Sequence, residues 1–318
     1  MQQFSLSANI EEGLSKNFQY IVTPNARDVA SGLVDGYRTG IHSFTIIGSY
    51  GTGKSSFLLA LEKDLQSNGS YSLLNPQTLS AKAKFDVLKI VGDYKDFVSL
   101  MRDKLSVDGT ADNVLDRLRE IYNQAKKQGK FLVIFIDEFG KVLEHAAKNN
   151  PEQELYFMQK LAEFVNVPTR QILLVTTLHQ NFSAYARRLS ALQKEEWTKV
   201  KGRFKELVFI EPVEQLLYLA STQLNAKNDV GVRAEYMEKL CQLAKTTKFV
   251  SDSFTSTTAN ALYPLEPFSA YAITQAIQRY GQNERSLFSF LSAKGANSLS
   301  EYKNGFYGIA NCYDYILQ

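Results

Sequence analysis

The stretch that decides the fold runs from Phe44 to Ser55 and reads Phe-Thr-Ile-Ile-Gly-Ser-Tyr-Gly-Thr-Gly-Lys-Ser. Its first four residues are apolar or β-branched, which predicts a short strand that ends at a glycine. The remainder fits the pattern G-x-x-x-x-G-K-[ST] in full. Apolar residues at helical spacing between Ser55 and Leu65 predict a helix directly after it. A strand, a glycine-rich turn and a helix in this order form the setting in which the pattern binds phosphate.

Each part of this loop has a physical role in holding the phosphates of ATP. The glycines let the backbone curl so that successive N–H groups point at phosphate oxygens, and the following helix adds its positive end. Lys54 neutralises the β- and γ-phosphates, and the Ser55 hydroxyl binds Mg²⁺. The candidate ATP-binding residues are Gly48, Ser49, Tyr50, Gly51, Thr52, Gly53, Lys54, Ser55 and Ser56.

A second motif stands at the end of a continuous apolar run, residues 131–136, which is typical of a parallel strand buried on both faces. Asp137 and Glu138 follow this run. A carboxylate at such a strand end can hold Mg²⁺ through water, so Asp137 and Ser55 are the candidate metal ligands. Glu138 is then placed to orient and deprotonate an attacking water. The two motifs together predict ATP hydrolysis.

Strand and helix patterns alternate on both sides of these motifs, which indicates a doubly wound α/β core with helices on both faces of a parallel sheet. From about residue 212 the pattern is wholly helical. We therefore predict a P-loop core over 1–211 and an all-helical domain over 212–318. Besides the two motif strands, the predicted strands are 85–91, 172–177 and 207–210, and the main predicted helices are 27–37, 94–105, 111–126, 212–224, 233–245 and 268–280.

The composition is that of a globular protein. The 318 residues are 44% hydrophobic and 22% charged, and the formal net charge of +3 is too small to indicate nucleic-acid binding by itself. The sequence shows no signal-peptide pattern and no apolar run near the roughly 20 residues that span a bilayer. Two distant cysteines, Cys241 and Cys312, favour reduced thiols. A cytoplasmic protein without a membrane segment is the resulting expectation.

The order of the motifs resembles the AAA+ superfamily of P-loop ATPases. This resemblance implies an AAA+-like three-layer core in which the phosphate-loop strand lies centrally, with the Asp137 strand and the Thr177 strand beside it. It also implies that the helical domain is a lid. The strand ending at Thr177 is similar to the sensor-1 strand, whose polar residue helps position the hydrolytic water. Thr177 is the first candidate, with His179 and Gln180 as alternatives, and a buried threonine with its hydroxyl satisfied by the backbone is the structural alternative.

The same resemblance implies two arginines that act on the nucleotide. The segment 199–204 resembles the one that carries the arginine finger, which makes Arg203 the candidate and implies a homo-oligomer with shared sites. Arg187 and Arg188 are alternatives, and a solvated basic stretch is the other interpretation. The segment 281–287 is similar to the start of the sensor-2 helix, so Arg285 is the candidate for contact with the γ-phosphate, with Arg279 as the fallback.

A narrower resemblance concerns the large P-loop ATPases of bacterial phage-defence clusters, including the BREX type. It is based on residues 20–24, 137–141, 178–180 and 282–288. It implies that the chain is the N-terminal ATPase module of a longer protein and that it serves an antiviral complex acting on DNA. DNA contact is a separate hypothesis, which also draws on the lysines between Lys194 and Lys205.

Three functions remain open at this point. The first is an ATPase that drives or licenses conformational change in a larger complex with partner proteins. The second is a nucleotide-dependent switch that binds ATP tightly and turns over slowly. The third is a P-loop kinase. The acidic pair at 137–138 and the sensor-like segments favour the first two, because a kinase also needs an acceptor pocket.

Overall fold

The structure, a computed structural model, describes residues 9–12, 20–67, 69–187, 189–224, 232–280, 287–295, 297–302 and 305–317. They divide into two compact units. The first is drawn from Ala8–Gly48 and Gly53–Ile210, and the second from Ser49–Thr52 and Glu211–Gln318. Among the described residues, no helix is both long and apolar enough to cross a membrane.

The first unit is a parallel β-sheet with helices on both faces. Its five strands lie in the order β2-β3-β4-β1-β5, and each neighbouring pair is parallel. The strands are β1 (Ser43–Ile47), β2 (Phe85–Val91), β3 (Phe131–Asp137), β4 (Ile172–Leu178) and β5 (Lys205–Val208). The helices are α1 (Pro24–Arg38), α2 (Lys54–Gln66), α3 (Phe97–Leu105), α4 (Ala111–Lys127), α5 (Phe139–Lys148), α6 (Pro151–Val165), α7 (Phe182–Tyr185) and α8 (Ala191–Lys201).

Strand β3 shows why the core has three layers. All seven of its residues are buried. Because successive side chains of a strand point to opposite faces, Ile134 and Ile136 enter the apolar cluster on one face of the sheet, and Val133 and Phe135 enter the cluster on the other. A strand covered on both faces is apolar throughout, as the sequence predicted. The predicted α/β core, a parallel sheet with helices on both faces, is thereby confirmed.

The strand order corrects one expectation. The phosphate-loop strand β1 lies beside β4 and β5, so it is the second strand from the edge, and β4 is the central strand. The Asp137 strand β3 is separated from β1 by β4. The last strand also begins two residues earlier than predicted, at Lys205 instead of Leu207, and Ile210 lies outside it. Strand order depends on pairing between distant segments, which local apolar patterns do not encode.

The second unit is helical. Its helices are α9 (Val213–Leu224), α10 (Val232–Thr246), α11 (Ser256–Ala261), α12 (Pro267–Tyr280), α13 (Leu287–Ser292) and α14 (Ile309–Ile316). They enclose a separate apolar cluster that contains both cysteines, Cys241 and Cys312, as free thiols. The long segment of this unit begins at Glu211, and the division into a core over 1–211 and a helical domain over 212–318 stays a prediction. The lid function of this unit stays a prediction.

A buried carboxyl in the first unit predicts how stability depends on pH. Burial raises the pKa of Glu154 to about 7, although its Oε2 accepts a hydrogen bond from the Phe97 N–H at 2.9 Å. The folded protein therefore holds this proton more tightly than the unfolded chain. The stabilisation that the neutral Glu154 carboxyl provides is fully present below the ordinary glutamate pKa. It is lost as the pH rises to about 7.

Replacing Glu154 with glutamine should remove that loss. Between pH 5 and pH 8, the free energy of unfolding of the variant should fall by about 2–3 kcal/mol less than that of the wild type. Chemical denaturation at the two pH values measures this difference. Glu152→Gln, an exposed neighbour in α6, is the control and should keep the wild-type dependence. Equal pH dependence in wild type and Glu154→Gln would contradict the assignment.

Candidate functional site

The candidate site lies at one end of the sheet, because parallel strands bring their carboxyl ends to the same edge. Gly48 follows β1, Asp137 ends β3, and Thr177 lies one residue before the end of β4. Two backbone hydrogen bonds hold these ends together. The Gly48 N–H donates to the Leu178 carbonyl at 3.1 Å, and the Gly92 N–H donates to the Asp137 carbonyl at 2.7 Å. The motifs found in the sequence thus meet at neighbouring strand ends.

Lys54 begins helix α2 directly after Gly53, whose φ of +91° is in the left-handed region that favours glycine. The Lys54 ammonium donates a hydrogen bond to the Gly48 carbonyl at 2.6 Å. Burial lowers the pKa of Lys54 to about 8, and the nearby charges of Asp137 and Glu138 oppose that effect. The lysine is therefore a desolvated cation close to two carboxylates, which is how a phosphate-binding lysine is expected to be placed.

Residues 49–52 of the loop belong to the second unit. Gly51 has a φ of +70°, and the Thr52 hydroxyl donates to the Ser49 carbonyl at 2.9 Å. Thr52 is buried. The loop is thus held in a curled conformation by its own hydrogen bond.

Asp137, Glu138 and Thr177 form a small hydrogen-bonded network. The Thr177 hydroxyl donates to Asp137 Oδ1 at 2.5 Å and accepts from the Glu138 N–H at 3.0 Å. The Glu138 N–H also donates to Asp137 Oδ1 at 3.0 Å. Asp137 and Thr177 are buried, whereas the Glu138 side chain is 44% exposed. The geometry places the Thr177 hydroxyl on the acidic pair, so the residue orients Asp137 and the turn at Glu138.

Two features of this network were missed in the sequence. Helix α5 begins immediately after Glu138, which adopts a left-handed φ of +52° at the helix start. Gly92, which follows β2, packs against the backbone of this turn, and an added Cβ would lie 2.5 Å from the Glu138 carbonyl oxygen. A glycine directly after a predicted strand was the available signal, because it marks a close approach of backbone.

Replacing Gly92 with alanine should disturb this turn. The new methyl group meets backbone atoms, so the turn that carries Glu138 must shift. We expect a loss of about 1–3 kcal/mol in unfolding free energy and a fall in any ATP turnover of at least about tenfold. Denaturation and steady-state ATPase assays measure the two effects. Gly202→Ala is the control, since a Cβ added at Gly202 would lie 3.5 Å from its nearest neighbours, an ordinary contact. A Gly92→Ala protein with wild-type stability would show that the turn yields freely.

His179 follows β4 and lies in a partly buried cluster. Its Nδ1 is 3.1 Å from the Tyr185 hydroxyl, and its Nε2 is 3.6 Å from a Glu144 carboxylate oxygen. Burial, and secondly the charge of Lys54, lower the pKa of His179 to about 4, so the ring is neutral near pH 7. The effect of Lys54 shows that the ring lies near the phosphate loop. Gln180, the other alternative to Thr177 for the sensor-1 position, is partly exposed beside His179, and the choice among the three residues stays a prediction.

Arg203, the first arginine-finger candidate, lies apart from this edge within the chain. Arg203 precedes β5, and its carbonyl accepts a hydrogen bond from the hydroxyl of Ser43, the first residue of β1. This is the end of the sheet opposite the phosphate loop. The Arg203 guanidinium contacts Glu163 at 2.9 Å. Arg187, after α7, is exposed, and Arg188 lies outside the described residues.

The other charged candidates are partly engaged or outside the described residues. In the basic stretch, Lys199 pairs with Glu196 at 2.6 Å and Lys201 approaches Glu206 at 3.6 Å. These two acids reduce the net positive charge of the stretch. Arg285 lies outside the described residues. Its alternative, Arg279, is exposed near the end of α12.

The residues present fit a magnesium ion. Ser55 offers a hydroxyl and Asp137 a carboxylate, and hard oxygen donors with water suit Mg²⁺. Asp137 Oδ1 is engaged by Thr177 and Glu138, which fixes the carboxylate and leaves Oδ2 for a metal-bound water. In the described part of the chain, no group of three or more His, Cys, Asp or Glu side chains forms a metal site. In P-loop sites generally, magnesium binds together with the nucleotide.

Comparison with known families agrees with this geometry. Residues 44–200 match the family described as "ATPase family associated with various cellular activities (AAA)". The match begins in β1 and ends in α8, so it contains both sequence motifs. This segment is therefore similar to AAA-family ATPase domains, in agreement with the resemblance to AAA+ P-loop ATPases. No curated protein matches the sequence.

Solved structures give weaker similarities. The chain is similar to C. elegans PCH-2, with 17% identity, coverage of 93% of this chain and 68% of the other, and a TM-score of 0.46. It is similar to the Aeropyrum pernix ORC2 protein, solved with ADPNP and ADP, with 14% identity, coverage of 78% and 70%, and a TM-score of 0.40. For domain III of the Thermotoga maritima replication initiation protein DnaA the identity is 14%, the coverage 76% and 92%, and the TM-score 0.31.

Proposed function

We propose that the protein binds ATP with Mg²⁺ and hydrolyses it. The observation that carries this proposal is the placement of Lys54 near Asp137 and Glu138 at the same sheet edge as the phosphate loop, where the Thr177 hydroxyl holds the Asp137 carboxylate and the Glu138 backbone N–H. A cation for the phosphates, an acid for Mg²⁺ and a group that orients the attacking water are the parts that phosphoryl transfer to water uses in P-loop sites.

The proposed division of roles follows from the contacts. Residues 48–56 hold the phosphates, with Lys54 as the main countercharge. Ser55 and, through water, Asp137 would hold magnesium, which would supply positive charge to neutralise the phosphates. Asp137 is buried and its Oδ1 is engaged by Thr177 and Glu138, so we assign it to holding the metal-bound water. Glu138, which is half-exposed on the same turn, is the group placed to take a proton from the attacking water.

ATP turnover measured across protein concentration tests the proposal. A hydrolase should release phosphate in proportion to time, and a Glu138→Gln variant should not. Turnover per subunit that rises with protein concentration would support an oligomer with shared sites. Tight ATP binding without turnover under every condition would instead support the slow nucleotide-dependent switch. The kinase interpretation would require transfer to an acceptor other than water.

The finer assignments are proposals on the same footing. We infer a homo-oligomer in which Arg203 or Arg187 of one subunit acts on the nucleotide of its neighbour. For Arg203 this requires that its contact with Glu163 breaks or is shared. Arg285 or Arg279 would act from the helical domain as a lid. Service in a phage-defence complex acting on DNA is proposed from the sequence resemblance alone. Salt-dependent binding to duplex DNA, or none at low salt, decides the DNA part.

A further inference from the structure

Hydrogen bonds hold the backbone of Glu138, but its long side chain can adopt several rotamers. Its N–H is held by Asp137 and Thr177, and its carbonyl accepts the Lys141 N–H at 3.0 Å. Gly92 packs against the same carbonyl. The side chain, by contrast, is 44% exposed and has three rotatable bonds. Something besides the backbone must therefore set the direction of its carboxylate.

The group in contact with that carboxylate is the ammonium of Lys141. Lys141 lies one helical turn further along α5, and its Nζ forms an ion pair with Glu138 Oε2. In the part of the chain that the structure describes, no other cation contacts this carboxylate directly. Lys54 lies near enough for its charge to act on Glu138. Since the pair involves Oε2, the other oxygen, Oε1, is left to face a water molecule.

We propose that Lys141 is a positioning residue for the hydrolytic reaction, which holds the Glu138 carboxylate in the direction needed to orient the attacking water. This inference depends on the proposed ATPase activity. Lys141 does not touch the phosphates in this role and acts only through Glu138. Glu138 immediately precedes α5 and Lys141 lies in its first turn, so the contact forms between residues three apart and does not require another subunit.

Replacing Lys141 with methionine keeps the length and packing of the side chain and removes the ammonium. Because exposed ion pairs contribute modestly, we expect kcat to fall about two- to fivefold, with KM for ATP unchanged. Lys141→Arg should restore turnover to near the wild-type value. Lys148→Met, which removes an exposed lysine from the last turn of the same helix, is the matched control and should be silent.

The decisive comparison repeats Lys141→Met in a Glu138→Gln background and follows residual turnover with radiolabelled ATP. A positioning role predicts no further loss there, because the carboxylate that Lys141 positions is gone. If Lys141→Met lowered kcat by the same factor in the wild-type and Glu138→Gln backgrounds, the lysine would be merely structural. The same conclusion would follow if it changed KM for ATP by the same factor in both. A kcat that is unchanged or increased in Lys141→Met would also overturn the inference while the ATPase proposal stands. Absence of turnover in the wild type would overturn the ATPase proposal itself, and the inference with it.

Discussion

A Lys54→Ala protein should bind ATP at least about 100-fold more weakly than the wild type. Removing one member of a desolvated charge pair costs about 2–5 kcal/mol, and about 2.7 kcal/mol corresponds to a hundredfold change in Kd. Lys54 is such a group, since burial lowers its pKa to about 8 and its ammonium already contacts the Gly48 carbonyl of the loop. The phosphates would therefore lose their main countercharge.

Titration calorimetry with ATP and Mg²⁺ measures the change. Lys63→Ala is the matched control, because Lys63 lies in the last turn of the same helix α2, where its ammonium contacts Tyr71. It should bind ATP like the wild type. Thermal unfolding of each variant shows whether the fold is intact. An intact Lys54→Ala protein with wild-type affinity would exclude residues 48–56 as the nucleotide site.

A Glu138→Gln protein should behave in the opposite way, with ATP binding retained and turnover reduced about 10²- to 10⁴-fold. Glutamine has the same shape, and its oxygen can still accept a hydrogen bond from Lys141, so the turn at the start of α5 should persist. What is lost is the ability to take a proton from water, and general-base catalysis contributes about this factor. The loss should appear in kcat and leave Kd for ATP nearly unchanged.

Single-turnover and steady-state phosphate release, together with ATP titration, separate these effects. Glu120→Gln is a suitable control, since Glu120 is an exposed acid of α4 that pairs with Arg117. Full turnover by the Glu138→Gln protein would show that another group is the general base. Equal loss of binding in Lys54→Ala and Glu138→Gln would contradict the separate roles assigned to the lysine and the glutamate.

The sequence by itself determined the phosphate loop, the acidic end of β3, the alternation of strands and helices, and the change to helical structure near residue 211. Each of these is a contiguous pattern, in which spacing within about ten residues carries the information. Buried parallel strands are uniformly apolar, so residues 131–136 could be recognised without knowing their neighbours. The local motifs were therefore sufficient for the fold class and for the proposed chemistry.

The tertiary structure alone decided how these parts meet. It placed β4 between β1 and β3, and so brought the Thr177 hydroxyl onto Asp137, 40 residues away in the chain. It also brought Gly92 against the Glu138 backbone and His179 beside Tyr185 and the charge of Lys54. These contacts depend on strand order and on the register of parallel pairs. Hydrophobic periodicity reports which face of an element is buried and carries no information about which distant residue it meets.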